Sequence, residues 1–239
     1  MRKILSLIVP AFLFVSAFSQ VEKDKNKDKP TIQGSGNVVT RDVPVQPFDQ
    51  LEASGVFNVS LVQGGKESVK VEAEDNLQEL FEVKNEGTKL IVGMKKDAPF
   101  NSKKKMTVYL SFKNLKRIDL KMVGNLSSQG SLNFADLSLE NKSVGSVDLA
   151  LNAQKLDIRN KSVGNLKLSG KAANAVIKNN SVGAIKAGGL VVQTMDIDND
   201  GIGTAEVNAA KELKVKDSFL GKVNNVSSAN PKRINKVVI

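Results

Sequence analysis

The second half of this 239-residue chain carries glycines at a nearly constant interval. Gaps of 18 to 21 residues separate Gly124, Gly145, Gly164, Gly183, Gly203 and Gly221. A fixed period of this length is the mark of one supersecondary unit that is stacked on itself. The spacing therefore predicts a solenoid built from repeats of about 19 residues.

The residues around each glycine form columns of alternating polarity. The positions eight and six residues before the glycine are apolar, as in Leu156 and Ile158, and the positions that follow them are mostly polar or charged. A second alternation follows each glycine, with Val147, Leu166, Ile185, Ala205 and Val223 on its apolar side. Alternation with period two indicates strands with one buried face. We expect each repeat to supply two short strands and two turns.

Two short strands cannot bury their own apolar face, but identical rungs stacked in parallel share one core. The predicted fold class is therefore all-β, a right-handed parallel β-helix over residues 116–239. A polar column of Asn141, Asn160, Asn179, Asn199 and Asp217 is expected to form a hydrogen-bonded ladder at a corner. The glycines are expected to supply left-handed corners or a close backbone approach. We interpret both columns as structural.

The N-terminal part divides into three predicted segments. Residues 1–19 have the basic start, short apolar run and small residue before the cleavage site that are typical of a signal peptide. Residues 20–33 are charged and aperiodic, which predicts a flexible tether. Residues 34–115 are strand-rich, without a strong break before the repeats, so this head is expected to abut the solenoid and cover its first rung. We expect export to the periplasm, cell surface or medium, with no transmembrane segment after cleavage.

The composition excludes several kinds of chemistry. The chain has no cysteine and no histidine. Disulfides, nucleophiles or bases made from these residues, and zinc sites with the usual ligands are therefore excluded. The sequence predicts no cofactor and no catalytic residue.

A weak calcium candidate is formed by Asp196, Asp198 and Asp200, which match the start of an EF-hand loop before Gly201. The twelfth position, where such a loop needs a chelating glutamate, is Val207. The segment also keeps the repeat register, which makes the first two aspartates ordinary outward positions. We predict that this segment does not need calcium to fold.

A second candidate is a basic loop that holds Lys95, Lys96, Lys103, Lys104 and Lys105. Its positive potential could attract an anionic polymer such as an acidic polysaccharide. No aromatic platform or recognition motif accompanies the lysines, so no nucleic acid is expected as a partner. The alternative is a solvated loop that keeps a sheet edge soluble.

Several stretches resemble a known family. They are GSGNVV (34–39), FDQLEASGVFNVSLVQGG (48–65), VKVEAEDNLQE (69–79) and the later SVG repeats. In this order they are similar to the head GIN domain family, exported bacterial proteins described as auto-transporter adhesins. The resemblance implies an all-β parallel β-helix and a role in adhesion. Because the chain ends at Ile239, just past the last repeat, we expect no separate membrane or sorting domain.

Two classes of function remain open at this point. A binding or adhesion module, with an envelope glycan or a protein as partner, needs only a rigid, exposed, repetitive surface. The alternative is a polysaccharide-active β-helix enzyme, which needs carboxylates that converge in a groove. The outward column of Glu140, Arg159, Lys178, Asp198 and Lys216 mixes acids with bases. This mixture favours binding over catalysis.

Overall fold

The structure, a computed structural model, describes residues 29–228 and the backbone of residues 232–235. It is 67% strand and 3% helix, and parallel coils stack into a β-solenoid of about five turns. The predicted all-β solenoid is therefore confirmed. The predicted signal peptide and residues 20–28 of the predicted tether lie outside the described residues.

In the described ranges the strands follow one another along the chain, and the 3-10 helix Asp75–Leu80 lies between β5 and β6. Their bounds are β1 (Ile32–Gln33), β2 (Val38–Val43), β3 (Gln50–Val56), β4 (Asn58–Gln63), β5 (Ser68–Glu74), β6 (Phe81–Glu86), β7 (Lys89–Met94), β8 (Phe100–Asn101), β9 (Thr107–Phe112), β10 (Arg117–Val123), β11 (Leu126–Asn141), β12 (Val147–Asn160), β13 (Leu166–Asn179), β14 (Ile185–Asn199), β15 (Ala205–Asp217), β16 (Val223–Asn225) and β17 (Lys232–Asn235).

Each repeat is one long strand that bends around the coil. Strands β11 to β15 have between 13 and 16 residues, and each pairs in parallel with the next. The expectation of two short strands and two turns per repeat was therefore wrong. The backbone goes on pairing with the neighbouring rungs through the bend, so most of the coil stays in one ladder.

The core lies inside the stacked coils, where the predicted apolar columns meet. Leu156 and Ile158 are fully buried, and the register pairs them with Leu137 and Leu139 of the rung before. The same columns continue through Ile177 and the later rungs. Side chains in each column thus cover one another along the stack, which a single rung could not achieve.

The predicted asparagine ladder is present and buried. The side-chain nitrogen of Asn141 donates to the oxygen of Asn160 at 2.9 Å, Asn160 donates to Asn179 at 2.8 Å, and Asn179 donates to Asn199 at 2.6 Å. The expected continuation to Asp217 differs. Asn199 donates instead to the backbone carbonyl of Gly221, and the carboxylate of Asp217 accepts from the amide of Val223.

The glycine column makes the close approach but not the left-handed corner that we expected. The φ angles of its first five members lie between +131° and +148°, far from the left-handed helical value of about +57°. This extended region of positive φ is almost restricted to glycine. A Cβ on Gly164 would lie 2.2 Å from the carbonyl oxygen of Gly145 in the rung before. Space and backbone conformation therefore both require glycine.

The N-terminal head adds coils to the solenoid in addition to lying against it. Strand β3 pairs in parallel with β10, and β4 pairs in parallel with β11, so residues 50–63 form a rung of the same stack. Strands β7 and β9 pair in parallel with β3 and β4 and form the rung before it. The sheet thus runs without interruption across the predicted boundary at residue 116.

Candidate functional site

The basic loop is an insertion at a corner of the solenoid. The rung of β7 and β9 has residues 93–106 at the corner where the next rung has only residues 54–57. The amide of Lys95 donates to the carbonyl of Leu80 at 2.9 Å, and β8 within the insertion pairs with β1. Ile32 and Gln33, at the end of the predicted tether, are therefore part of the folded head.

A buried glutamate that the sequence did not single out holds this insertion. Glu74 accepts hydrogen bonds from the hydroxyl of Ser102 at 2.6 Å, the amide of Lys103 at 2.9 Å and the amide of Gly36 at 2.6 Å. The hydrogen bond from Ser102 has the largest effect and lowers the pKa of Glu74, and the backbone amides lower it further. Burial acts to raise this pKa but is outweighed. A Cβ on Gly34 would lie 2.4 Å from the carboxylate. The glycines of the GSGN motif were the available signal for this contact.

The structure divides the five loop lysines into two groups. All five are exposed, and within residues 29–228 no carboxylate forms an ion pair with any of them. Lys95 and Lys96 join Lys121 around a pocket of about 700 Å³ between the insertion and the next rung. Lys103, Lys104 and Lys105 do not line this pocket. Binding of a polyanion to the loop stays a prediction.

The calcium candidates lie in and just after β14. The ammonium group of Lys216 lies 3.5 Å from a carboxylate oxygen of Asp198 and 3.6 Å from one of Asp200. Asp196 pairs in register with Lys214 of the next rung. In the described part of the chain, no group of three or more acidic side chains is arranged to hold a metal ion. The sequence prediction that this segment folds without calcium remains to be tested.

A groove of about 730 Å³ crosses β11 to β14 at another corner, and the sequence did not reveal it. Its rim carries Asn133, Asn152, Gln154, Lys171 and Gln193, and we call it the amide groove. The buried column beneath it changes from Phe134 to Ala153 and Ala172 in successive rungs. The groove forms where this column loses side-chain volume.

Some polar side chains of the rim form hydrogen bonds within the protein, and others do not. Asn152 donates to Ser131 at 3.1 Å and to Asn133 at 3.0 Å. The side chains of Gln154 and Gln193 make no hydrogen bond within residues 29–228. Four rungs at about 4.8 Å per step present this rim over about 14 Å. The groove therefore offers two unpaired side-chain amides, Gln154 and Gln193, on rungs two steps apart.

The electrostatics do not resemble those of a glycosidase. The ten residues that line the amide groove include no aspartate or glutamate. Elsewhere, each described carboxyl group whose pKa departs from its ordinary value has a lowered pKa; these are Asp49, Glu52, Glu74, Asp75, Glu86 and Glu140. Burial acts to raise the pKa of Glu52, but Lys121 and Lys89 together outweigh it. A catalytic acid needs the opposite shift.

A row of exposed apolar side chains follows the corner beside the glycine column. We call it the valine ladder, and its members are 46–55% exposed: Val56, Val123, Val144, Val163, Val182 and Ile202. Each pairs in parallel with the next. The sequence analysis missed this ladder. The alternation contained the signal. Leu139, Asn141 and Ser143 are alternate residues that point inward, so Val144, the next residue, points outward.

The solenoid resembles several proteins of known structure. A crystal structure described as a putative adhesin from Bacteroides fragilis NCTC 9343 is 28% identical, with a TM-score of 0.78 over 85% of this chain and 97% of that chain. A putative lipid binding protein from Parabacteroides distasonis ATCC 8503 is 15% identical, with a TM-score of 0.62 over 86% and 97% of the two chains. A putative adhesin from the same strain is 20% identical, with a TM-score of 0.56 over 87% and 98%. The last two show a shared fold alone.

No helix within the described ranges has the length and hydropathy to cross a membrane. No curated protein matches the chain. The sequence model described as "Putative auto-transporter adhesin, head GIN domain" matches residues 47–229, most of the chain. The SVG repeats and the solenoid that they build thus have one explanation, which is that the chain belongs to the head GIN domain family.

Proposed function

We propose that this protein is an exported, non-catalytic module of the adhesin type that binds glycan chains of the cell envelope in the amide groove. One observation carries the proposal: side-chain amides from three of four stacked rungs, β11, β12 and β14, line an open groove of about 730 Å³. The adhesin description of the family and the predicted signal peptide support export.

Sugar hydroxyl groups both donate and accept hydrogen bonds, and a side-chain amide offers both functions. Gln154 and Gln193 supply these groups on the rim, while Ala153 and Ala172 provide a flat apolar floor. Lys171 adds one positive charge, for which a carboxylate or sulfate substituent of a glycan is a suitable partner. The groove is therefore suited to a polar chain that lies across the rungs.

The absence of acids from the groove lining supports binding over cleavage. Hydrolysis of a glycosidic bond by the usual route needs two carboxyl groups on either side of the bond, about 5 to 9.5 Å apart. A chain seated over Gln154 and Lys171 meets amides and an ammonium group. It can be held there without being cut.

The test is titration calorimetry with soluble oligosaccharides of four to eight units, one set neutral and one set containing uronic acids. The double variant Gln154→Ala/Gln193→Ala should weaken binding by about 1–3 kcal/mol, or roughly 5- to 150-fold, because each lost hydrogen bond contributes about 0.5–1.5 kcal/mol. The matched control is Lys167→Gln, an exposed position of the same solenoid outside the groove.

Two results would contradict the proposal. Binding that is weakened equally by the control variant would place the contact elsewhere on the surface. Release of reducing ends or unsaturated products from the bound oligosaccharides would establish catalysis.

A further inference from the structure

The pocket beside the basic loop is separate from the amide groove. It lies between the corner insertion and residues 54–56 of the next rung, and its volume of about 700 Å³ is within the usual range for small-ligand sites of roughly 300–1,000 Å³. Its lining residues are different from those of the amide groove. A ligand in this pocket and a glycan in the amide groove would therefore contact separate sets of side chains.

One wall of the pocket is apolar and only partly covered. Met94, Ala98, Pro99 and Phe100 are half-buried, and Val56 is 46% exposed. Phe100, Ala98 and Met94 pack against the core on their inner side. The pocket therefore presents a continuous apolar surface that is anchored from behind.

The backbone fixes this wall. Gly55 has a φ of +131°, and a Cβ there would lie 2.9 Å from Cγ of Met94. The amide of Val56 points at the sulfur of Met94, with a separation of 3.4 Å. Met94 can thus lie directly against the next rung, and its flexible thioether adapts to the shape of an apolar ligand.

The rim of the pocket is positively charged. Lys95 and Lys96 are exposed and lack an ion-pair partner in the described part of the chain, whereas Lys121 is 3.2 Å from a carboxylate oxygen of Glu52. The lining includes no acidic residue. An anionic group at the mouth of the pocket would therefore meet two ammonium groups that are not already neutralised.

We propose that the pocket between the insertion and the next rung, which we call the junction pocket, binds the acyl chain of a free fatty acid, whose carboxylate lies against Lys95 and Lys96. The apolar wall removes the chain from water, and the lysines select an anionic head group. Chain burial supplies the affinity, because each methylene adds a similar increment. The two exposed charges contribute less.

The first experiment is titration calorimetry on the intact protein with fatty acids from octanoate to hexadecanoate, kept below their micelle concentrations. Affinity should rise about fourfold with each added methylene until the chain outgrows the pocket. The methyl ester of the best acid has the same chain without the charge, and it should bind more weakly. An affinity that does not change with chain length overturns the proposal.

The second experiment separates the pocket from the exposed valine ladder. Val56→Gln should weaken binding of the best fatty acid at least about fourfold, while Val182→Gln changes a ladder residue of similar exposure outside the pocket and should have no effect. Equal losses in the two variants would mean non-specific adsorption to the ladder and would overturn the site.

The double variant Lys95→Gln/Lys96→Gln should weaken binding of the fatty acid by about two- to thirtyfold, since each exposed ion pair contributes little. Its affinity for the methyl ester should not change. Both residues are exposed, so this variant tests the head-group contact without disturbing the core. Binding to vesicles of phosphatidylcholine and phosphatidylglycerol without binding of free fatty acids would make a membrane surface the ligand and refute the pocket.

Discussion

Substitution of Gly164 by alanine should destabilise the solenoid severely for two additive reasons. Its φ of +141° is a conformation that strains any other residue by about 1–3 kcal/mol. Its Cβ would also lie 2.2 Å from the carbonyl oxygen of Gly145, which is backbone and cannot turn aside. Overpacking of this kind costs about 1–3 kcal/mol more. The sum is about 2–6 kcal/mol, or a fall in Tm of roughly 4–24 °C for a domain of this size.

Two other glycines separate the strain from the steric clash. Gly87 has a φ of +59° with nothing within 4 Å of an added Cβ, so Gly87→Ala should show backbone strain alone, about 1–2 kcal/mol. Gly65 has neither a positive φ nor a neighbour within 4 Å. Gly65→Ala should be neutral or stabilise by up to about 1 kcal/mol, because alanine restricts the unfolded chain.

The measurement is urea unfolding of the three variants, followed by circular dichroism, with the slope of the transition checked for constancy. The expected order of the loss in free energy is Gly164→Ala, then Gly87→Ala, then Gly65→Ala. If Gly164→Ala were no less stable than Gly87→Ala, the close approach between successive rungs would not limit the residue type, and the steric part of the argument would be wrong.

Four further outcomes are expected. Asn160→Ala should cost about 2–4 kcal/mol by thermal melting because it leaves buried amide groups unpaired, whereas the exposed Asn224→Ala should cost little. The hydrogen bond from Ser102 lowers the pKa of Glu74 from its ordinary value of 4.5. The stabilisation from the Glu74 carboxylate is therefore present above pH 4.5 and is lost as the pH falls through the lower pKa of the folded protein. Glu74→Gln should make the free energy of unfolding depend less on pH in this acid range. If the loop binds polygalacturonate, replacing residues 103–105 by glutamine should reduce the salt dependence of that binding. Because an ammonium group already lies between two carboxylates of the segment 196–200, Tm in a chelator should equal Tm in millimolar calcium; a rise of several degrees with calcium contradicts this.

The sequence predicts most of the solenoid because each column obeys one local rule. Leu156 and Ile158 alternate with polar neighbours, and stacking places equivalent positions above one another. The asparagine ladder follows from the same register. The length of the strands was predicted less well, because whether a bend interrupts pairing depends on backbone geometry between rungs and not on side-chain polarity.

The binding surfaces depend on contacts that no single repeat contains. The amide groove exists because Phe134 is followed by Ala153 and Ala172 in the next two rungs, which becomes meaningful only once the register is known. The junction pocket joins Val56 to Phe100, residues that meet only because β3 pairs with β7 and β4 with β9. Local patterns do not encode that pairing.

The parallel stack also determines how the protein responds to being pulled. Backbone hydrogen bonds between rungs run along the axis of the solenoid, so tension between its two ends loads them one rung at a time and peels the coils in sequence. Each released repeat of about 19 residues extends to roughly 65 Å, in place of the 4.8 Å it occupied in the stack. We expect a solenoid pulled from its two ends to lengthen in nearly equal steps, with each step dissipating mechanical work.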